Sequence, residues 1–437
     1  MPQLFLLPFF RSPGVMPGFL KDREQFLPVR VDILMERLLK DGRLNDDERK
    51  SFRVLRRLLA DRFHYEYRGM LESLTNDFVP FDPDCETLGE PEYTAEQLNA
   101  MRLRLYESIR QVLQIGNYRE LTPEQLSECL ELQPIGGLSV HVDTGDFDGF
   151  HVYYHGVRRC KETENFFFFW KRVLPLVCLN RVFVIARLKP EFGGQVLIKM
   201  FKDVPIENIK IIAPKVKLGM PVFAKIKIGG SVLGSLIAPV SKLIFAFTMH
   251  WIYFLVILGG LLIAAFKGTM SFLNSRTKYM QMYSSNLYYR NLSNNTAALT
   301  ALLDSAENQE LKETLLGYYM LYVNRNCEMT MQQLDEAVER WVAEQFDHPF
   351  DFEVDDAVRK LIKTKIIDKK ESKDNHSNDP DSCVCILEHY RACELSVALR
   401  RLDDDWDGFN VFPDTTHKMH PQNLRMHSGS RSLSRKR

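Results

Sequence analysis

The chain has 437 residues, enough for two or three domains of ordinary size that bury their cores without disulfide staples. Lysine plus arginine equal aspartate plus glutamate at 57 each, which excludes a global field that would draw nucleic acid or an acidic partner. The 8 cysteines are scattered except for Cys383, Cys385 and Cys393, a spacing that fits neither a zinc ribbon nor a secreted disulfide framework and points to a reducing compartment.

Residues 1–25 read as a flexible leader. They are apolar but broken by Pro2, Pro8, Pro13 and Pro17, and carry neither the basic start of a signal peptide nor the arginine-rich pattern of a transit peptide. Residues 26–135 read as a helical domain. Asn45 with Glu48, Thr94 with Gln97, and Thr122 with Pro123 and Gln125 have the spacing of capped helix starts. Phe52, Leu55, Leu58, Leu59 and Phe63 follow the first at helical intervals. An acidic, proline-bearing connector over 77–93 lies between the first two.

In 136–215 the period falls to two. Leu138, Val140 and Val142 alternate with polar residues, a turn follows at 144–146, and then comes FHVYYHGV, so the pattern predicts a β-hairpin. RVFVIARL from Arg181 and GQVLIKMF from Gly194 predict two more strands of a small antiparallel sheet. The hairpin would set His141, Asp143, His151 and His155 on one face, which invites a metal site. A solvated polar face is the plainer reading, and no metal or cofactor is assigned.

Between Lys242 and Lys267 run 24 residues with no acidic or basic side chain. A helix needs ~20 apolar residues to cross a bilayer core of ~30 Å. Upstream, IGGSVLGSLIAPVS is rich in the small residues that let membrane helices approach closely. The expectation is a transmembrane helical hairpin, 229–247 and 251–272, turning at Thr248, Met249 and His250. Lys210, Lys215, Lys217, Lys225 and Lys227 precede the pair, and Lys267, Arg276 and Lys278 follow it, so both flanks look non-translocated. A single pass and a buried core helix are the competing readings.

Residues 279–412 predict a helix interrupted near Ser293, Asn294 and Asn295, and a further helix capped by Thr330 and Gln333. Next come a short strand at FDFEV, a helix over 355–367, a strand at SCVCIL and a last helix over 395–402. This order suggests a winged-helix-like module. Arg359, Lys360, Lys363 and Lys365 would give one helix a basic face suited to DNA, but neighbouring carboxylates offset it and nucleic acid is not the expected partner. Asp403, Asp405, Asp407, Gly408 and Asp414 occupy positions of an EF-hand loop. Asn410 and Pro413 oppose that reading, and an aspartate-rich helix terminus is preferred. Residues 413–437 read as a disordered basic tail.

RFHYEY from Arg62, DPDCETL from Asp82, VLIKMFKDVPIENI from Val196, LYYRNLSNN from Leu287, AENQELKETLLGYY from Ala306 and LRRLDDDWDGF from Leu399 together resemble the transmembrane protein 143-like family, whose members share a domain of unknown function numbered 3754. The resemblance covers roughly 26–412. It implies a membrane protein with soluble portions flanking a hydrophobic pair, mitochondrial in animals, with no established activity to carry over.

The fold class expected is thus α+β: a helical N-terminal domain with a small antiparallel sheet, a transmembrane hairpin and a C-terminal winged-helix-like α+β domain. The leading functional expectation is a membrane-anchored scaffold or regulatory protein. Its partners would be the lipid bilayer and an unidentified protein, with homo-oligomerisation left open. Its location would be a mitochondrial membrane in a eukaryote or the inner membrane in a bacterium. Two rivals stand beside it. One is a membrane-bound enzyme with a site near His64 and Glu66, with Asp82; a deep pocket holding both His64 and Glu66 would favour it. The other is a transporter or channel component, against which the lack of a buried acid in the spans argues.

Overall fold

The computed structural model describes residues 23–85, 91–132, 139–142, 145, 147–166, 170–192, 194–213, 216–219, 251–373 and 386–409. The leader up to residue 22, the first expected span at 229–247, Asp143, Cys383, Cys385 and the tail lie outside them.

Helices α1 (Val31–Lys40), α2 (Asp46–Phe78), α3 (Ala95–Ile115) and α4 (Pro123–Glu131) form the N-terminal part. The expected capping boxes start three of them. At α2 the Glu48 N–H donates to Asn45 Oδ1 at 2.8 Å, while the Asn45 N–H donates to Glu48 Oε2 at 2.9 Å. Thr94 with Gln97 and Thr122 with Gln125 repeat the exchange, which satisfies two otherwise orphaned donors at each helix start.

The strands that follow are β1 (Arg119–Glu120), β2 (Ser139–Val142), β3 (Phe147–Phe166), β4 (Trp170–Leu188) and β5 (Val196–Pro205). A short helix α5 (Ile209–Ile212), β6 (Val216–Gly219), the long helix α6 (Trp251–Arg290) and β7 (Asn291–Asn294) come next. One antiparallel sheet has the order β1-β3-β4-β5-β7, and β2 pairs with β6 by itself. The expected hairpin between β2 and β3 is therefore corrected. Ser139 to Val142 pair with Gly219 back to Val216, and β3 turns instead into β4. Alternation identified both strands, but it carries no information on pairing partner.

Both faces of the five-stranded sheet are covered around the middle of β4, which is why Val182 to Ala186 run apolar without alternation. Phe183 and Ile185 point into one buried cluster, with Ile198 and Met200 of β5. Val182 and Val184 point into a second cluster with Ile206, Ile209 and Ile212.

The C-terminal part consists of α7 (Asn295–Val323), β8 (Met329–Thr330), α8 (Met331–Phe346), α9 (Val354–Lys363), β9 (Ile367–Lys373), β10 (Ile386–Ala392) and α10 (Leu395–Phe409). Thr330 and Gln333 cap α8 as expected. The three strands pair in the order β8-β10-β9. Several boundaries differ from expectation. FDFEV is not a strand: Phe350 makes a single bridge to Glu24, and Val354 already opens α9. That helix stops at Lys363 because Lys365 adopts φ 57°, and Ile367 begins β9. Only the end of SCVCIL, from Ile386, lies in a described strand.

Helix α7 is the centre of the molecule. Every residue from Leu311 to Tyr322 is buried, more than three turns with no solvent face. Helices α2 and α3 pack on it from the N-terminal part, α8 and α9 from the C-terminal part, and α10 packs on α2. Buried residues from Leu27 to Leu402 form one continuous cluster.

Among the described residues no helix is long and apolar enough to cross a membrane. Helix α6 nonetheless begins with 16 uncharged residues, 251–266, and exposes Leu262, Ile263 and Phe266 at 65%, 69% and 69%.

Gly156 sits in β3 at φ +71°, and a Cβ there would lie 2.6 Å from Asn180 Nδ2 and 2.8 Å from Asn180 Cβ. Gly156→Ala is expected to destabilise the fold by about 1–3 kcal/mol, from left-handed backbone strain plus the clash, read as a lowered unfolding midpoint.

Candidate functional site

Three of the sequence segments singled out above meet in space. Arg62 of α2 pairs with Asp405 of α10, and Tyr65 stacks edge-on against Trp406 with ring centres 5.9 Å apart. The Tyr67 hydroxyl donates to Glu310 of α7. His64 lies 3.3 Å from Glu307. RFHYEY, AENQELKETLLGYY and LRRLDDDWDGF thus interlock as the contact between three helices.

This arrangement separates His64 from Glu66. The imidazole is 71% exposed beside Glu307, whereas Glu66 accepts from Lys363 at 2.9 Å and lies 3.4 Å from Arg62 Nε. Two residues apart on a helix, they point to different sides. Two cavities near this contact are lined by neither of them. One, of ≈ 110 Å³, is lined by Leu58, Asp61, Arg62, Leu402, Asp405 and Trp406. A wider groove of ≈ 710 Å³ runs past Lys365, Asp368, Arg401 and Asp404. Asp82 is elsewhere: it accepts from Thr296 Oγ1 at 3.0 Å, beside the Asn295–Asp84 bond at 2.5 Å, where two carboxylates suit the positive start of α7.

The remaining sequence candidates also disperse. His155 is not on a solvated face: it is 2% exposed, with the Phe26 and Tyr118 rings each centred 4.0 Å away. Burial, then the charges of Lys312 and Arg181, hold its pKa well below the ordinary imidazole value. His151 pairs with Glu120 at 2.7 Å, and His141 belongs to the separate β2-β6 pair. Among the described residues no three His, Cys, Asp or Glu side chains gather as a metal set. The EF-hand reading fails because Asp403, Asp405 and Asp407 lie within α10, and a helix cannot wrap an ion as a loop does. The basic face on α9 does not form either. Lys360 points inward, while Arg359 pairs with Asp356 and Lys363 with Glu66.

A buried polar network under α7 was not anticipated. Glu313, 1% exposed, accepts at Oε1 from Asn117 Nδ2 and Gln309 Nε2, both at 2.8 Å. Its Oε2 faces Lys360 Nζ at 3.5 Å, and Lys360 also pairs with Asp356 and Glu310. Asn117 and Gln309 both donate to the Gln25 carbonyl, at 2.9 and 3.1 Å. Lys312 donates to the Leu27 carbonyl at 2.6 Å, over the Phe26 ring at 5.0 Å. The network therefore ties residues 25–27, the α3–β1 turn, α7 and α9 to one point. Burial pushes Glu313 up to about 7, against the pull of Lys360 and the Gln309 hydrogen bond. Burial also lowers Lys312 to about 8. For Lys360, burial would depress the value, but Glu313, Glu310 and Asp356 together raise it. The available sequence signal was polar residues placed in a stretch apolar on all sides, ENQELKE before TLLGYY.

A carboxyl raised from 4.5 to about 7 binds its proton more tightly folded than unfolded, so the stability it contributes is present at acid pH and lost as pH rises through about 7. Glu313→Gln removes that dependence. Its stability relative to the parent is expected to rise by on the order of 3 kcal/mol between about pH 5 and pH 8, read from unfolding midpoints across pH.

One family model, described as a protein of unknown function (DUF3754), matches residues 185–297, from late β4 through α6 to the first turn of α7. No solved structure matches the chain.

Proposed function

We propose that the protein is a membrane-anchored scaffold or regulatory protein. Residues 229–272 enter the bilayer as a helical hairpin, and the portions on either side of them form one body on one face of the membrane. The carrying observation is the shared core. Residues before the apolar segment, in α2 and α3, and residues after it, in α7 and α10, bury one another. A segment that crossed once would place its flanks on opposite sides and separate halves that share tens of buried side chains. Entry and return is the path that leaves them together.

The start of α6 supports lipid as its surroundings. Leu262, Ile263 and Phe266 are largely exposed, a heavy loss of hydrophobic burial in water and none in hydrocarbon. The uncharged run continues upstream of Trp251 to Leu243, giving the length that 251–266 by itself lacks. Lys267 and Lys278 then mark the emerging end.

The body is best read as a docking platform. Its C-terminal helix, strand and hairpin order is winged-helix-like, but Lys360 is committed to buried carboxylates and Arg359 and Lys363 to surface ones. Likeness to the transmembrane protein 143-like family beyond the matched domain belongs to this proposal, as does a mitochondrial membrane in a eukaryote or the inner membrane in a bacterium. His64 and Glu66 point to different sides of α2 and do not form a shared site.

Membranes from cells making the full chain provide the test. After an alkaline carbonate wash the protein is expected to stay with the lipid and float with it. Recovery as a monodisperse species without detergent would contradict the proposal.

A further inference from the structure

Strands β3 and β4 bring two thiols together. Arg158 stands opposite Cys178 across the strand pair, and Cys160 stands opposite Leu176. Residues two apart on a strand share a face, so Cys160 and Cys178 are diagonal neighbours on one face of the hairpin. Their side chains meet there. Burial pushes the Cys178 thiol up, the hydrogen bond with Cys160 pushes it further, and Arg290 and Arg158 pull against both.

The two thiols differ in access. Cys178 is 3% exposed, whereas Cys160 is half-buried. Cys160 Sγ donates to the Arg158 carbonyl at 3.8 Å. The Arg158 guanidinium donates to Asp203 Oδ1 at 2.6 Å and also meets Cys160: burial would lower its pKa, but Asp203 and Cys160 raise it. A thiol that solvent reaches, beside a guanidinium and next to a second thiol, is the setting in which a cysteine is oxidised and then resolved.

The backbone at this point has room to adjust. Cys178, opposite Pro205, is the residue of β4 at which pairing with β5 stops. Among the described residues, from the Cys160–Leu176 pair to the Phe166–Trp170 pair β3 and β4 bond only to each other. Diagonal neighbours stand about 7–8 Å apart, at the limit of what a disulfide spans. A two-stranded ribbon is marginal by itself and can draw in to close that gap. A bridge closed in this way holds strain and is easily reduced.

We infer that Cys160 and Cys178 form a reversible dithiol–disulfide site whose oxidant is a hydroperoxide. The Cys160 sulfur attacks the peroxide, the O–O bond breaks, and one oxygen stays on sulfur as a sulfenic acid. The other oxygen leaves as water or an alcohol with the thiol proton. The Cys178 sulfur then displaces the sulfenic hydroxyl, the S–S bond forms, and the hydroxyl leaves as water with the Cys178 proton. The two sulfurs lose two electrons and the O–O bond takes them. A reducing dithiol reverses the change by exchange, passing two electrons and two protons to the pair. In a reducing compartment such a bridge is transient and reports oxidant instead of stapling the fold.

The full chain in detergent, reduced and freed of reductant, is treated with hydrogen peroxide, alkylated and digested. The expected product is a peptide pair linked through Cys160 and Cys178, and dithiothreitol is expected to return both thiols. Cys178→Ala is expected to lose the linked pair and stop at the Cys160 sulfenic acid, trapped by dimedone. Cys160→Ala is expected to leave Cys178 reduced, because peroxide reaches it poorly. Exposed Cys327 is the comparison within the same chain. Oxidation of Cys327 in the parent with Cys160 and Cys178 still reduced would overturn the site. A link from Cys160 to any other cysteine, or recovery of the linked pair only from a covalent dimer, would do the same. These readings come from the parent chain, so a variant that fails to fold does not shelter the inference.

Discussion

Helix α7 has no face toward water between Leu311 and Tyr322, and that single fact constrains everything around it. A helix buried on every side needs partners on every side, and the chain supplies them from both of its ends. Leu27, Phe52 and Leu105 come from before the apolar segment, and Leu334, Leu361 and Leu402 from after it. The charges on α7 and on α9 against it sharpen the constraint. A carboxylate and an ammonium taken out of water are tolerated only with good partners. Glu313 and Lys360 obtain theirs from Asn117, Gln309, Glu310 and Asp356. Moving α9 would take Lys360 away from Glu313 and Glu310.

The segments that looked most like chemistry in the sequence are explained by this packing. Arg62 with Asp405, Tyr65 with Trp406 and Tyr67 with Glu310 are contacts between α2, α10 and α7. Asp82 and Asp84 bind the first turn of α7 through Thr296 and Asn295. Asn295, at φ +48°, also accepts from the Ile198 N–H at 3.2 Å, tying the helix start to the central strand of the matched domain. A motif rich in Arg, His, Tyr and Asp is consistent with a site, but it is equally the composition of a polar seam between buried helices.

Local features were legible in the sequence because their causes are local. The capping boxes at Asn45, Thr94, Thr122 and Thr330 depend on residues three apart, and all four form. The apolar run of β4 from Val182 to Ala186 and the β-branched residues of β5 mark strands wherever they pair. Features set by distant partners were not legible. β2 chose β6, more than seventy residues on, over adjacent β3. His155 became the filling between Phe26 and Tyr118. The DDDWD run continued as helix because Trp406 and Asp405 had Tyr65 and Arg62 to meet. The network around Glu313 joins residues from position 25 to position 360, and no window of sequence holds enough of it to reveal it.

If N- and C-terminal portions share one core, the chain's two ends cannot be parted by the bilayer. Epitope tags at both termini of the full chain, challenged by protease in sealed vesicles of defined orientation, read this directly. Joint cleavage or joint protection is the expected result. Cleavage of one tag with protection of the other would mean that α2 and α7 lie on opposite sides of the membrane, and the shared core would have to be given up.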